Sequence, residues 1–266
     1  MWIWGVVLLG VAGFCGYTAY NARKSIQRMT TTETVTSADL ASLRKAAVTA
    51  GGEGVFSELV EVKGVVRTGP GGPLASQVTD TKCVWHRHKV ERKYREKYRD
   101  SDGDRRTRTK TETLTSHRTK DHFYVEDATG KVLVHPSVIV DKPKKVLDEF
   151  EEPKAKQSKS GGGFLATIGN LAKDMMDDED TIGFRRREWV LQDGARIYVL
   201  GEASDADGDL VVGKPSDGSK QIITTRTEEE MSEQHGKQGA LFTIGGGLAA
   251  VAGVVLLAIS LVQAIA

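Results

Sequence analysis

Residues 83–120 read CVWHRHKVERKYREKYRDSDGDRRTRTKTETLTSHRTK, and this stretch decides the fold class. Its even positions carry Val84, His86, His88, Val90, Arg92, Tyr94, Glu96 and Tyr98; its odd positions carry Trp85, Arg87, Lys89, Glu91, Lys93, Arg95, Lys97 and Arg99. A period of two is the signature of a strand, because successive side chains point to opposite faces of a pleated chain. The return half places Thr at 107, 109, 111, 113, 115 and 119, and a branched Cβ suits the pleat. Asp102-Gly103 between the halves signals a tight hairpin. A two-residue loop there pairs Tyr98 with Thr107, Tyr94 with Thr111 and His88 with His117. That register predicts aromatics, histidines and threonines on one face. It predicts a basic ribbon on the other: Arg87, Lys89, Lys93, Arg95, Lys97, Arg99, Arg106, Arg108 and Lys110.

The charge balance supports a distinct ribbon. Residues 81–120 hold fourteen Lys or Arg against six Asp or Glu, a net +8, so the rest of the chain carries −7 within a total of +1. Such a ribbon suits a solvated hairpin or an anionic partner.

Working outward, the chain reads as β-rich. Leu59–Arg67, Phe123–Glu126, Val132–His135, Val138–Val140, Arg185–Leu191, Ala195–Leu200, Leu210–Val212 and Gln221–Thr224 are predicted strands, bounded by Gly, Pro and Asp turns. Ser37 is placed to cap a short helix through Ala47. The segment 157–182 reads as an insert with a Gly161-Gly162-Gly163 hinge and a short amphipathic helix. The expected fold is a β-rich α+β domain, an antiparallel sheet or partly open barrel with a long basic hairpin.

The ends differ in character. Residues 1–22 and 239–266 carry no charge. Each is long enough to cross ~30 Å of hydrocarbon as a helix, with Trp2, Trp4, Tyr17 and Tyr20 as interfacial residues. The first lacks the basic start of a cleaved signal peptide. Arg23, Lys24 and Arg28 follow it, so the expectation is an integral membrane protein of a bacterial plasma membrane. Both termini would lie outside and the domain would be cytoplasmic. The expected layout is a span over 1–22, a polar linker over 23–54, a domain over 55–225, a helical linker over 226–238 and a span over 239–266.

Four phrases resemble the GIDE, or beside-a-membrane, domain family of mitochondrial E3 ubiquitin ligases. They are Val62-Lys63-Gly64-Val65-Val66 with Pro73-Leu74-Ala75-Ser76; Cys83-Val84-Trp85-His86-Arg87; Phe123 to Val134; and Gly194 to Glu202. The resemblance covers residues ~55–225, and the apolar ends match the family plan. It marks Cys83, Trp85, Asp127, Gly130 and Gly201 as family-motif positions. It implies a ubiquitin-protein transferase context. In the family a RING finger after the second span performs the ligase step, and a RING needs about eight zinc-binding Cys and His side chains. This sequence has two cysteines, Cys15 and Cys83, so the ligase activity is not carried over with the domain.

The remaining chemistry is sparse. No Walker loop, dinucleotide fingerprint, nucleophile elbow or zinc-protease motif is present, and no cofactor is implied. His86, His88 and His117 share a hairpin face, where three imidazoles can surround a metal; a half-buried sheet with packed histidines is the simpler reading. Cys83 reads as a buried strand cysteine rather than a nucleophile. Asp127-Ala128-Thr129-Gly130 reads as a turn. Asp205 to Asp209 lacks the closing Glu of a calcium loop and reads as a turn as well. The functional expectation is an interaction, sensor or scaffold domain with a protein partner. A ligase component working with a separate RING-like partner is the alternative. A further one is anionic lipid held by the basic hairpin, at ~1 kcal/mol per basic residue near a charged surface. Nucleic acid ranks below lipid in this register, because Tyr94 and Tyr98 fall opposite the cations.

Overall fold

The computed structural model describes residues 34–152 and 180–226, together with Gly10, Gly13, Phe14, Gly16, Tyr17 and Tyr20. The chain divides into two units, Val35–Thr225, and the two ends together. Of the end unit, Gly10, Gly13, Phe14, Gly16, Tyr17 and Tyr20 are helical, and Phe14, Tyr17 and Tyr20 are exposed.

Among the described residues of the Val35–Thr225 unit one helix, α1 (Ser37–Gly51), precedes twelve strands. A barrel is built from β1 (Ser57–Arg67), β6 (Phe123–Glu126), β7 (Lys131–Val134), β10 (Arg196–Ser204) and β11 (Val211–Gly213). β1 pairs with β10 from Ser57↔Ser204 to Val65↔Arg196, and its last residues switch to β6 at Val65↔Glu126. β6 turns into β7, β7 lies parallel to β11, and β11 returns to β10. The ring is therefore closed, in the five-stranded Greek-key arrangement of an OB-type barrel. That architecture hosts many functions and assigns none.

Closure depends on Gly64, where β1 passes from one neighbour to the other. A Cβ there would lie 2.3 Å from the Glu126 carbonyl oxygen. Alternating apolar residues fill the interior: Val60, Val62 and Val66 from β1, Phe123 and Val125 from β6, Val132 and Val134 from β7, and Val199 and Val212 opposite. Leu40 of α1 is buried against the same core. β12 (Ile222–Thr224) adds to the outside of β10.

A second, antiparallel sheet runs β5–β4–β9–β8, from β4 (Trp85–Arg99), β5 (Arg105–Arg118), β8 (Lys144–Glu151) and β9 (Thr181–Leu191). β2 (Leu74–Ala75) and β3 (Lys82–Cys83) form a short ribbon leading into it.

Several expectations are corrected. The expected antiparallel sheet or partly open barrel is a closed barrel containing one parallel pair, because β11 returns beside β7 rather than at an edge. Val138–Val140 is not a strand; the strand lies in the charged run Lys144–Glu151, whose residues pair with β9 although their hydrophobic pattern is weak. The cap of α1 is Thr36, whose Oγ1 accepts from the Asp39 N–H, while Ser37 is the first helical residue.

The two flanking transmembrane helices, and the integral-membrane localisation built on them, are corrected too. Among the described residues no helix is long and apolar enough to cross a membrane. A crossing needs about twenty mostly apolar residues, whereas α1 has 15 and includes Asp39, Arg44 and Lys45. The run 239–266 lies outside the described residues, as do most of 1–22, the linker positions 23–33 and 227–238, and 157–179 of the insert.

Candidate functional site

The hairpin β4–β5 keeps the predicted register only near its base. Arg87↔Arg118, His88↔His117, Lys89↔Ser116 and Val90↔Thr115 pair in step, and then Glu91 faces Thr113. Leu114 is the extra residue of a bulge. A one-residue slip turns every later side chain to the other face. Tyr94 thus faces Lys110 and Tyr98 faces Arg106, instead of Thr111 and Thr107. The loop is also longer than two residues: Asp100 Oδ1 accepts from the N–H groups of Asp102 and Asp104, and Gly103 takes φ +87°. The Asp100 side chain organises that turn, so Asp102-Gly103 does not act alone.

The corrected register distributes the ribbon over both faces. Arg106, Arg108 and Lys110 share a face with the tyrosines, and the Arg108 guanidinium sits 4.8 Å from the Tyr98 ring centre. Glu96 accepts from Lys110 at 2.7 Å and also pairs with Arg108. Arg92, beside Tyr94 at 4.9 Å, is buried and donates to Thr181 Oγ1.

The opposite, outer face holds Arg87, Lys89, Lys93, Arg95, Lys97 and Arg99. On β4 alone this face is close to the predicted ribbon; Thr107, Thr109 and Thr111 of β5 join it. β9 adds Trp189, Arg187 and Arg185, paired with Arg87, Lys89 and Glu91. β8 adds Lys145, Asp148 and Phe150. Arg87 and Arg187 stand 5.4 and 5.6 Å from the Trp189 ring centre. Glu91 is matched by Lys89 and Arg187, and Asp148 by Lys145 and Arg185 at 2.7 Å each. Lys97 contacts Asp180 at 3.2 Å. Past Tyr94 the hairpin outruns β9 and continues as a two-stranded ribbon.

The inner face is closed at its base. His86 and His88 are buried while His117 is exposed, with ring centres 6.3 and 5.6 Å from that of His117. Burial, with the neighbouring His117, holds His86 and His88 below the ordinary imidazole range. Among the described residues no three His, Cys, Asp or Glu side chains are arranged to hold a metal. Cys83 is buried, and burial together with the Glu188 charge pushes its thiol up to about 11, so it stays protonated at neutral pH. Trp85 is fully buried in the core.

Asp127, Gly130 and Gly201 have structural roles. Asp127 Oδ1 accepts from Thr129 N, Thr129 Oγ1 and Gly130 N, closing the β6–β7 turn. Its Oδ2 accepts from Ser37 N at 2.7 Å, at the first turn of α1. Burial opposes the charge, but these bonds outweigh it and bring the carboxyl down to about 2. Gly130 sits against Ser37, and a Cβ on Gly201 would meet the Gly213 carbonyl oxygen at 2.6 Å.

Sequence reasoning missed Glu188. It is fully buried, and its carboxylate accepts from Ser76 Oγ, Val78 N, Thr79 N and Thr79 Oγ1 at 2.7–2.9 Å. Burial alone would raise its pKa; the four donors hold it below the usual range. A Glu in a strand between Arg187 and Trp189 carries no sign of this, because its donors come from a loop 110 residues earlier. Phe150 was also missed. Its ring occupies the space over Gly183, where a Cβ would come within 2.5 Å.

Compared with known families, residues 93–257 match the family model GIDE, described as an E3 ubiquitin ligase. No curated protein and no solved structure matches the chain.

Proposed function

The chain belongs to the GIDE family of E3 ubiquitin ligase domains, and from that premise we propose that this domain acts by docking a partner rather than by performing the transfer step itself. The observation that carries the reading is the outer face of the β5–β4–β9–β8 sheet. Lys93, Arg95, Arg99 and Arg105 there have no ion pair among the described residues, while the carboxylates on that face already hold cations. An unmatched row of cations selects an anionic surface and steers it. The perturbed acidic groups Asp127 and Glu188 support the same reading: each binds a loop or helix end of the domain itself. In a ligase assembly such a module positions a substrate or a companion that carries the conjugating-enzyme site.

The test is a single-turnover discharge assay. Ubiquitin-loaded conjugating enzyme is mixed with free lysine, with and without the full chain. The discharge rate should stay unchanged. Acceleration by the chain alone would show transfer catalysis and overturn the docking reading.

A further inference from the structure

We propose that the outer face of the β5–β4–β9–β8 sheet binds single-stranded nucleic acid, its phosphates along the Lys93–Arg99 ladder and its bases against Trp189 and Phe150. This rests on the docking reading and names the partner class.

Three features converge. First, Lys93, Arg95, Lys97 and Arg99 repeat every second residue on one strand, so the charges stand ~7 Å apart in a row, and Arg105 stands beside Arg99 on the paired strand. A linear, evenly spaced polyanion fits a ladder better than an isolated charge does. Second, Trp189 and Phe150 lie on the same face as the ladder, four residues apart along β9 and β8, or ~14 Å. Trp189 is flanked by Arg87 and Arg187, and Phe150 is 47% exposed. Aromatic rings beside cations form a stacking platform that tolerates any base. Third, a recess of about 590 Å³ opens at Phe150, walled by Glu91, Lys93, Thr111, Asp148 and Arg185. Gly183 makes room for its aromatic floor. The recess combines an apolar surface with donors and acceptors for base edges, and the Thr107, Thr109 and Thr111 hydroxyls line the backbone path.

An acidic polypeptide would use the ladder but not the stacking surfaces. Tyr94 and Tyr98 stay opposite the ladder, and the rings on its own face are Trp189 and Phe150, which the hairpin alone does not include.

The experiment is fluorescence anisotropy with the full chain and two probes, a labelled oligo-uridylate of ~20 nucleotides and labelled poly-glutamate. The oligonucleotide should bind more tightly than poly-glutamate. Engagement of five phosphates predicts roughly a hundredfold loss of affinity between ~50 and ~200 mM salt. Joint replacement of Lys93, Arg95, Arg99 and Arg105 by Gln should flatten that salt dependence. Trp189→Ala with Phe150→Ala should weaken the oligonucleotide at least tenfold and leave poly-glutamate unchanged; circular dichroism checks that each variant is folded. Equal loss for both probes in a folded aromatic variant, or preference for poly-glutamate, overturns the nucleic-acid assignment and leaves the docking reading standing. Binding of neither probe removes both.

Discussion

The Ser37 backbone N–H donates to Asp127 Oδ2 at 2.7 Å, joining the first turn of α1 to the β6–β7 turn across ninety residues of chain. The Ala38 N–H adds a bond to Thr129 Oγ1 at 3.1 Å. An anionic group at a helix N-terminus satisfies donors that the helix cannot, and it lies at the positive end of the dipole. Here the anion comes from a barrel turn, so one carboxylate fixes both the turn and the helix that buries Leu40.

Asp127→Ala should therefore destabilise the domain by about 1–2 kcal/mol, as loss of a cap does, and should expose the α1 amides first in hydrogen exchange. The native carboxyl is depressed to about 2 from 3.8. A depressed native pKa contributes stability that is fully present above pH ~4 and is lost as pH falls toward ~2. Urea denaturation between pH 5 and pH 2.5 should show a smaller acid-induced loss in the Ala variant than in the native chain.

Glu188→Gln should cost about 2–3 kcal/mol, because the amide sets an N–H group against donors and leaves buried N–H or hydroxyl groups unmatched. The loop carrying Ser76, Val78 and Thr79 should become a protease-sensitive site in the folded variant. Unchanged stability and an intact loop would count against the four-donor arrangement.

The bulge at Leu114 makes a spectroscopic prediction. Cross-strand NOEs should connect Tyr98 with Arg106 and Tyr94 with Lys110, and be absent between Tyr98 and Thr107. Deleting Leu114 should make the ladder continuous and leave these cross-strand contacts unchanged, because Thr113 already faces Glu91.

Cys83 should resist alkylation. In a Cys15→Ser background at pH 8, iodoacetamide should modify the native chain far more slowly than the urea-unfolded chain, because burial holds the thiol near 11. Equal rates would place the thiol at the surface.

The local elements were legible in the sequence, and the reasons are local. Alternation marked β4, the threonine series marked β5, and Asp-Ala-Thr-Gly marked the β6–β7 turn. The family phrases stand on the barrel strands and on the short ribbon and strand that lead into the second sheet, and their marked residues prove to be packing and turn positions. The candidate face was half legible. The β4 cations can be read from spacing, but Trp189 and Phe150 join them only once β9 and β8 pair alongside, and Leu114 reverses the distal half of β5. The strand Lys144–Glu151 escaped notice because its stability comes from pairing with β9 rather than from an apolar stripe.

What the sequence by itself determined is therefore period, turn chemistry and charge, because these depend on bonds between neighbours and on side-chain type. Barrel closure at Gly64, the bulge at Leu114, the burial of Glu188 beneath a distant loop and the seat of Phe150 over Gly183 were decided only in three dimensions. The bulge depends on how the two arms of one hairpin align, and the other three depend on segments far apart in the chain meeting at a spacing of a few ångströms; no local pattern of residues encodes which distant segment arrives.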